Sequence, residues 1–141
     1  MKRFWVIGLF FFSLAVSSAF GEGKFYVIVN SANPLSAIEG GELSKIYMKK
    51  TSQWPNGQQI LPVDQAEGSS VRESFSREVH GKSASDIKAY WEQRIFSGRG
   101  TPPLEKGSDG EVIAYIKANP NAVGYVSSPV SEPNVKVLKV N

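Results

Sequence analysis

The segment Asp64-Gln65-Ala66-Glu67-Gly68-Ser69-Ser70-Val71-Arg72 concentrates the groups best suited to chemistry in this chain, and the chemistry they suit is capture of an anion. It follows a strand-like run and opens a helix. Gly68 lets the backbone approach a ligand closely. The amides of Ser70 and Val71 are among those a helix start leaves unpaired, and the hydroxyls of Ser69 and Ser70 lie beside them. The helix dipole favours negative charge at that point. Arg72, in the first turn, adds a bidentate, charge-assisted contact. Glu67 opposes an anion unless it faces away. The same residues also make an ordinary capped helix start, the commoner use of such a pattern. A second wall is offered by Asn30-Ser31-Ala32-Asn33, with Ser31 and Asn33 as contact residues, since ligands of α/β sheets sit beyond strand C-termini. A plain strand-to-helix loop is the alternative there.

Other chemistries find little support. His80 is the single histidine, and no Gly-x-Ser-x-Gly elbow accompanies it. It reads as a solvated residue at a helix C-terminus, where a cation is favoured. The chain has no Cys, which excludes a disulfide framework and a cysteine zinc site. One imidazole with scattered carboxylates has no metal-ligand spacing. The expectation is a protein without catalytic residues, metal or cofactor. Ser97-Gly98-Arg99-Gly100-Thr101-Pro102-Pro103 reads as a helix stop and turn, or as a specificity loop. Trp54 and Trp91 read as core aromatics.

The elements that must position these residues alternate along the chain. Lys24 to Asn30 is a β-branched, aromatic strand, and Ile60 to Val63 is a second, which Pro62 places at a sheet edge or near its own end. Glu42 to Lys49, after a Gly40-Gly41 break, puts Leu43, Ile46 and Tyr47 on one helical face. Three helices carry capping boxes, Ser70 with Glu73, Ser83 with Asp86 and Ser108 with Glu111. Val71, Phe75 and Val79 line the first of these; Ile87, Tyr90, Trp91 and Ile95 line the second, which stops at Gly98. Val112, Ile113 and Ile116 line the third, which stops before Pro120. Ala122 to Val126 and Val135 to Val140 are strands. The order β-α-β-α-α-α-β-β implies an α/β fold, a single three-layer-like domain with a mixed sheet flanked by helices.

Residues 1–21 stand apart. Lys2 and Arg3 precede an apolar run from Phe4 to Val16, and Ser17-Ser18-Ala19-Phe20-Gly21 supplies small residues, the layout of a secretory signal peptide cut after Ala19 or after Gly21. The run is shorter than the ~20 residues that span a bilayer, and no Cys follows to take a lipid. No membrane anchor is expected after cleavage. Removing 21 of 141 residues leaves 120, as one domain over 22–141, and takes the basic count from 16 to 14 against 13 acidic residues. The full-length charge of +3 therefore falls to about +1, too balanced for a nucleic-acid partner.

Several segments together resemble a known family. They are Gly41-Glu42-Leu43-Ser44-Lys45-Ile46-Tyr47-Met48-Lys49-Lys50, Trp54-Pro55-Asn56-Gly57, Ile60 to Asp64, Glu67 to Phe75, Tyr90-Trp91, and Asn119-Pro120-Asn121-Ala122-Val123-Gly124-Tyr125-Val126. The pattern is similar to the substrate-binding proteins of phosphate ABC transporters, of the type II periplasmic binding-protein superfamily. The resemblance covers roughly residues 24–130. It implies a fold like one lobe of such a protein, because a full member is about twice this length and closes two lobes on its ligand. It also implies a periplasmic, non-catalytic binder of a small inorganic anion, phosphate first, with the Gly68-Ser69-Ser70 turn at the ligand, and an ABC permease or another envelope protein as partner. Gly68-Ser69-Ser70 replaces the family's Gly-Ser-Gly-Thr turn, and Asp64 and Gln65 stand where an Arg commonly precedes it. Those departures leave a second reading, an interaction or regulatory module of the envelope that keeps the fold without ligand transport.

Overall fold

The computed structural model describes residues 24–141. The signal segment expected over 1–21 lies outside the described residues. The elements run β1 (Tyr26–Asn30), β2 (Ala37–Ile38), α1 (Gly40–Tyr47), β3 (Leu61–Gln65), α2 (Ser70–Phe75), a π-helical turn (Ser76–His80), α3 (Ala84–Phe96), β4 (Leu104–Lys106), α4 (Asp109–Ala118), β5 (Ala122–Val126) and β6 (Val135–Val140). Six strands form one mixed sheet in the order β2-β6-β1-β5-β3-β4. β1 is antiparallel to both neighbours, while β3 is parallel to β5 and to β4, and β2 is parallel to β6. Every strand except β1 therefore points the same way.

Strand alternation sorts the core into two layers. Val27 and Val29 of β1, with Val123 and Tyr125 of β5, face α1 and α2, where Leu43, Ile46, Tyr47, Val71 and Phe75 are buried. Ile28, Val63, Ala122 and Val126 face the other way, against Val112 and Ile116 of α4. Helices on both faces of the sheet make the three-layer α/β architecture. Trp54 and Trp91 are buried, and the indole of Trp54 donates to the Asn121 carbonyl at 2.9 Å. Gly124 is where α4 comes closest to the sheet: a Cβ there would meet Val112 Cγ1 at 2.7 Å.

Several local expectations shift. Gly40 and Gly41 open α1 rather than break before it, because the Gly40 amide finds the Asn141 carbonyl, 3.0 Å away at the end of the last strand. Pro62 sits second in an interior strand. It is tolerated there because the pairing with β4 begins only at Val63. β2 and β4 are short edge strands without a periodic signature. Ile95 does not line α3; it is exposed, since the helix leaves the core beyond Trp91. The stop at Gly98 holds, with α3 ending at Phe96 and Gly98 in the left-handed region at φ 70°.

The hydroxyl half of each capping box forms at Ser83 and Ser108, which accept the amides of Asp86 and Glu111 at 3.1 and 3.3 Å. For α2 the cap is Ser69, not Ser70: its hydroxyl accepts the Arg72 amide at 3.3 Å. Glu73 does not reach back to close a box. Its carboxylate takes Arg77 Nε at 2.6 Å and the Ala84 amide at 3.0 Å, tying α2 to α3.

Candidate functional site

The carboxyl ends of β3, β4 and β5 converge with the N-termini of α2 and α4. β3 ends in Asp64 and Gln65, both buried. The chain then turns through Gly68, whose φ of 85° favours glycine, and the Ser69 amide donates back to the Ala66 carbonyl at 3.2 Å. Ser69 is half-buried and its hydroxyl is committed to the cap. Gly68 and Ser70 are exposed. With Ser69 as cap, Ser70 is the first helical residue, so its amide and that of Val71 are donors without an intrahelical acceptor. The Glu67 carboxylate is paired with Lys88 of α3 at 2.8 Å.

Arg72 is not a free cation. Only 6% of its surface is exposed. Its Nη1 donates to Glu105 Oε1 at 2.5 Å and to the Gln65 carbonyl at 3.1 Å, and its Nε lies 3.7 Å from Asp64 Oδ1. Burial works against the guanidinium charge, yet Asp64 and Glu105 outweigh it and hold the group above its ordinary value. The expectation that Arg72 supplies charge to a ligand is thereby corrected: two carboxylates already spend it inside the fold.

Asp64 also accepts the Tyr125 hydroxyl, and Gln65 donates its amide to the Tyr125 oxygen at 3.2 Å. Burial raises the Asp64 carboxyl above its usual range, with the Arg72 charge and the Tyr125 bond partly offsetting it. Tyr125 is pushed up in turn by burial and by the Asp64 charge. One layer further out, Asp109 in the first turn of α4 takes Gln65 Nε2 at 2.6 Å, the Ser127 hydroxyl at 2.6 Å and the Ser127 amide at 3.0 Å. The network stitches the carboxyl ends of β3, β4 and β5 to both helices. Asp64, Gln65, Glu105, Asp109, Tyr125 and Ser127 carry it. Of these, Asp64 and Gln65 are marked in the sequence only as the residues that follow a strand and stand where an Arg commonly precedes the turn; Glu105 lies on an edge strand that shows no periodic signal.

Ser31 and Asn33 lie elsewhere. They follow β1, the one strand that runs against the rest, so their loop leaves the opposite end of the sheet, beside the starts of β3 and β5. At about 3.3 Å per residue the length of β3 alone separates the two loops by about 15 Å. The Asn33 side chain accepts the Leu35 amide at 2.9 Å in a turn, and the Ser31 amide donates to the Asn134 carbonyl at 3.0 Å. These residues do not form a second wall for the Gly68 turn.

His80 is not solvated. It is half-buried at the end of the π-helical turn, with Nδ1 2.7 Å from Ser44 Oγ and its ring edge-on to Phe75 at 5.7 Å. Burial, then Lys82 and Arg72, lowers its pKa to about 4. Among the described residues no cluster of His, Cys, Asp and Glu is arranged to hold a metal ion.

An α/β domain with an open amide-bearing turn at the carboxyl edge of its sheet has the build of a ligand-binding lobe. The chain belongs to the family described as a PBP superfamily domain, whose model matches residues 15–139. No curated protein sequence matches the chain significantly. Among solved structures it is similar to a candidate phosphate ABC transporter substrate-binding protein with bound phosphate from Clostridium perfringens, at TM-score 0.66 and 22% identity over 82% of this chain and 44% of that one. It is also similar to an ABC-type phosphate transport receptor from Vibrio cholerae, at TM-score 0.65 and 22% identity over 82% and 45% of the two chains. A third is PstS from Borrelia burgdorferi, at TM-score 0.57 and 19% identity over 83% and 47%. The chain thus spans less than half the length of the structures it matches and has the fold of a single lobe.

Proposed function

We propose that this protein is a non-catalytic binder of a small oxyanion, phosphate first, exported to the periplasm through residues 1–21, with cleavage after Ala19 or Gly21. The observation that carries the reading is the Gly68-Ser69-Ser70 turn. Gly68 and Ser70 are open to solvent, the turn's leading amides belong to a helix start, and the Glu67 charge beside it is paired with Lys88. The turn sits at the carboxyl edge of a fold shared with a phosphate-bound substrate-binding protein and a phosphate transport receptor. The donors are the Ser70 hydroxyl and the Ser70 and Val71 amides, with Gly68 giving close approach and Ser69 holding the turn. Arg72 acts behind them, bracing the turn through Gln65, Asp64 and Glu105. An ABC permease or an envelope protein is the expected partner.

Calorimetric titration of the chain starting at Glu22 with phosphate and with sulfate tests this. Heat of binding that Ser70→Ala weakens and Gly68→Val abolishes is the expected result. Absence of heat and of thermal shift at millimolar anion refutes it. The envelope-module reading is favoured by one observation, the internal neutralisation of Arg72, which leaves the turn without that guanidinium as a free charge. Under that reading both anions are silent, and crosslinking in the envelope recovers a partner that a surface substitution abolishes.

A further inference from the structure

The end of α3 exposes apolar side chains. Among the described residues the exposed large hydrophobic side chains are Ile95 at 52%, Phe96 at 94%, Leu104 at 46% and Val137 at 41%, and the first three fall within one eleven-residue segment, 94–104. The same segment carries Arg94 and Arg99, and no Asp or Glu occurs from Gln93 to Leu104. Neither arginine makes an ion pair among the described residues. Arg94 lies over the Tyr90 ring at 5.2 Å. The tip is a closed structure, not a frayed end. Ser97 and Arg99 donate their amides to the Gln93 and Arg94 carbonyls at 3.1 and 2.8 Å, Gly98 donates to Ile95 at 3.1 Å, and Pro103 is buried behind them. Phe96 is held out in water by a capped helix.

We propose that this tip docks on an anionic lipid surface, with Phe96 and Ile95 entering the headgroup layer and Arg94 and Arg99 meeting lipid phosphates. Charge and size choose this occupant. The exposed apolar side chains of the tip are three, Ile95, Phe96 and Leu104, against the roughly 20–30 residues a side of a stable protein interface. A lipid surface needs only shallow apolar insertion with counter-charge. In a two-fold contact with a second copy the same patch faces itself, which sets arginine against arginine. The inference does not depend on anion binding at the Gly68 turn, since it uses none of the residues of that turn.

The described strands and helices and both core clusters lie within 24–141, so the test uses the chain starting at Glu22. Co-sedimentation with phosphatidylglycerol-containing vesicles and with phosphatidylcholine vesicles tests the proposal. The chain is expected to sediment with the former, in a salt-sensitive way, and not with the latter. Phe96→Ser lowers partitioning about tenfold or more, and Arg99→Gln lowers it about fivefold at low salt. Equal partitioning of wild type and Phe96→Ser, or no partitioning of either, overturns the proposal. So does a wild-type dimer that Phe96→Ser converts to monomer, which assigns the patch to a second copy. Phosphate titration of the same variants stays unchanged, so failure here is distinguishable from failure of the anion reading.

Discussion

At Arg72 one guanidinium answers two carboxylates from neighbouring strands, Asp64 beside it on β3 and Glu105 on β4. Removing it strands the buried Asp64 charge. Arg72→Ala is therefore expected to cost about 3–5 kcal/mol in urea unfolding, and Arg72→Lys to recover only part, since an ammonium cannot reproduce the fork. An Arg72→Ala variant as stable as wild type would show that the pair is ornamental. His80 gives a pH signature. Its folded pKa of about 4 lies below the ordinary 6.5, so the unfolded chain takes up this proton first. The His80 contribution is fully present above pH 6.5 and is lost as pH falls towards 4. His80→Gln flattens that limb of the stability-pH curve. Asp64 has the opposite sign: its raised pKa means the folded state protonates first, so its contribution favours low pH and declines as pH rises through the folded value. The sequence marked Arg72 as a cation at a helix start; its two partners are invisible locally, because one sits on a strand of three residues.

Elements are joined here by caps and close packing more than by their own propensities. The Asn30 side chain at the end of β1 donates to the Ile116 and Lys117 carbonyls at 3.0 and 3.3 Å, closing the C-terminus of α4, and accepts the Ala32 amide at 2.9 Å. Asn30→Ala leaves those buried groups unpaired and is expected to cost about 1–3 kcal/mol, with faster amide exchange confined first to the last turn of α4. Gly124 makes the complementary case. Ala at this position forces a methyl onto Val112 and is expected to cost about 1–3 kcal/mol, part of which Val112→Ala restores in the double variant. The helices at Ser83 and Ser108 were legible from capping chemistry and apolar spacing. The α2 cap was displaced by one residue because the Gly68 turn closes on Ala66 before the helix begins.

The described residues have the fold of one lobe, and the loop with Ser31 and Asn33 leaves its sheet at the end opposite the Gly68 turn. An open site exposes its ligand to water and salt, so binding to this chain alone is expected to weaken steeply with ionic strength. Phosphate that binds the folded state only raises the melting temperature, by an amount equivalent to about 2.7 kcal/mol at a hundredfold excess over Kd. Scanning calorimetry in phosphate against chloride at matched ionic strength reads it, and identical melting in the two salts removes the site.

The sequence alone determined the α/β class, the core faces, the starts of α3 and α4 and the Gly68-Ser69-Ser70 turn, because these follow from periodicity and capping within a few residues. Only the tertiary structure decided which ends of strands meet and which charges are free. β1 runs against its neighbours, which sends Ser31 and Asn33 away from the turn, and Asp64 and Glu105 absorb Arg72. Strand direction and ion pairing are set by contacts between residues far apart in the chain, which no local pattern encodes.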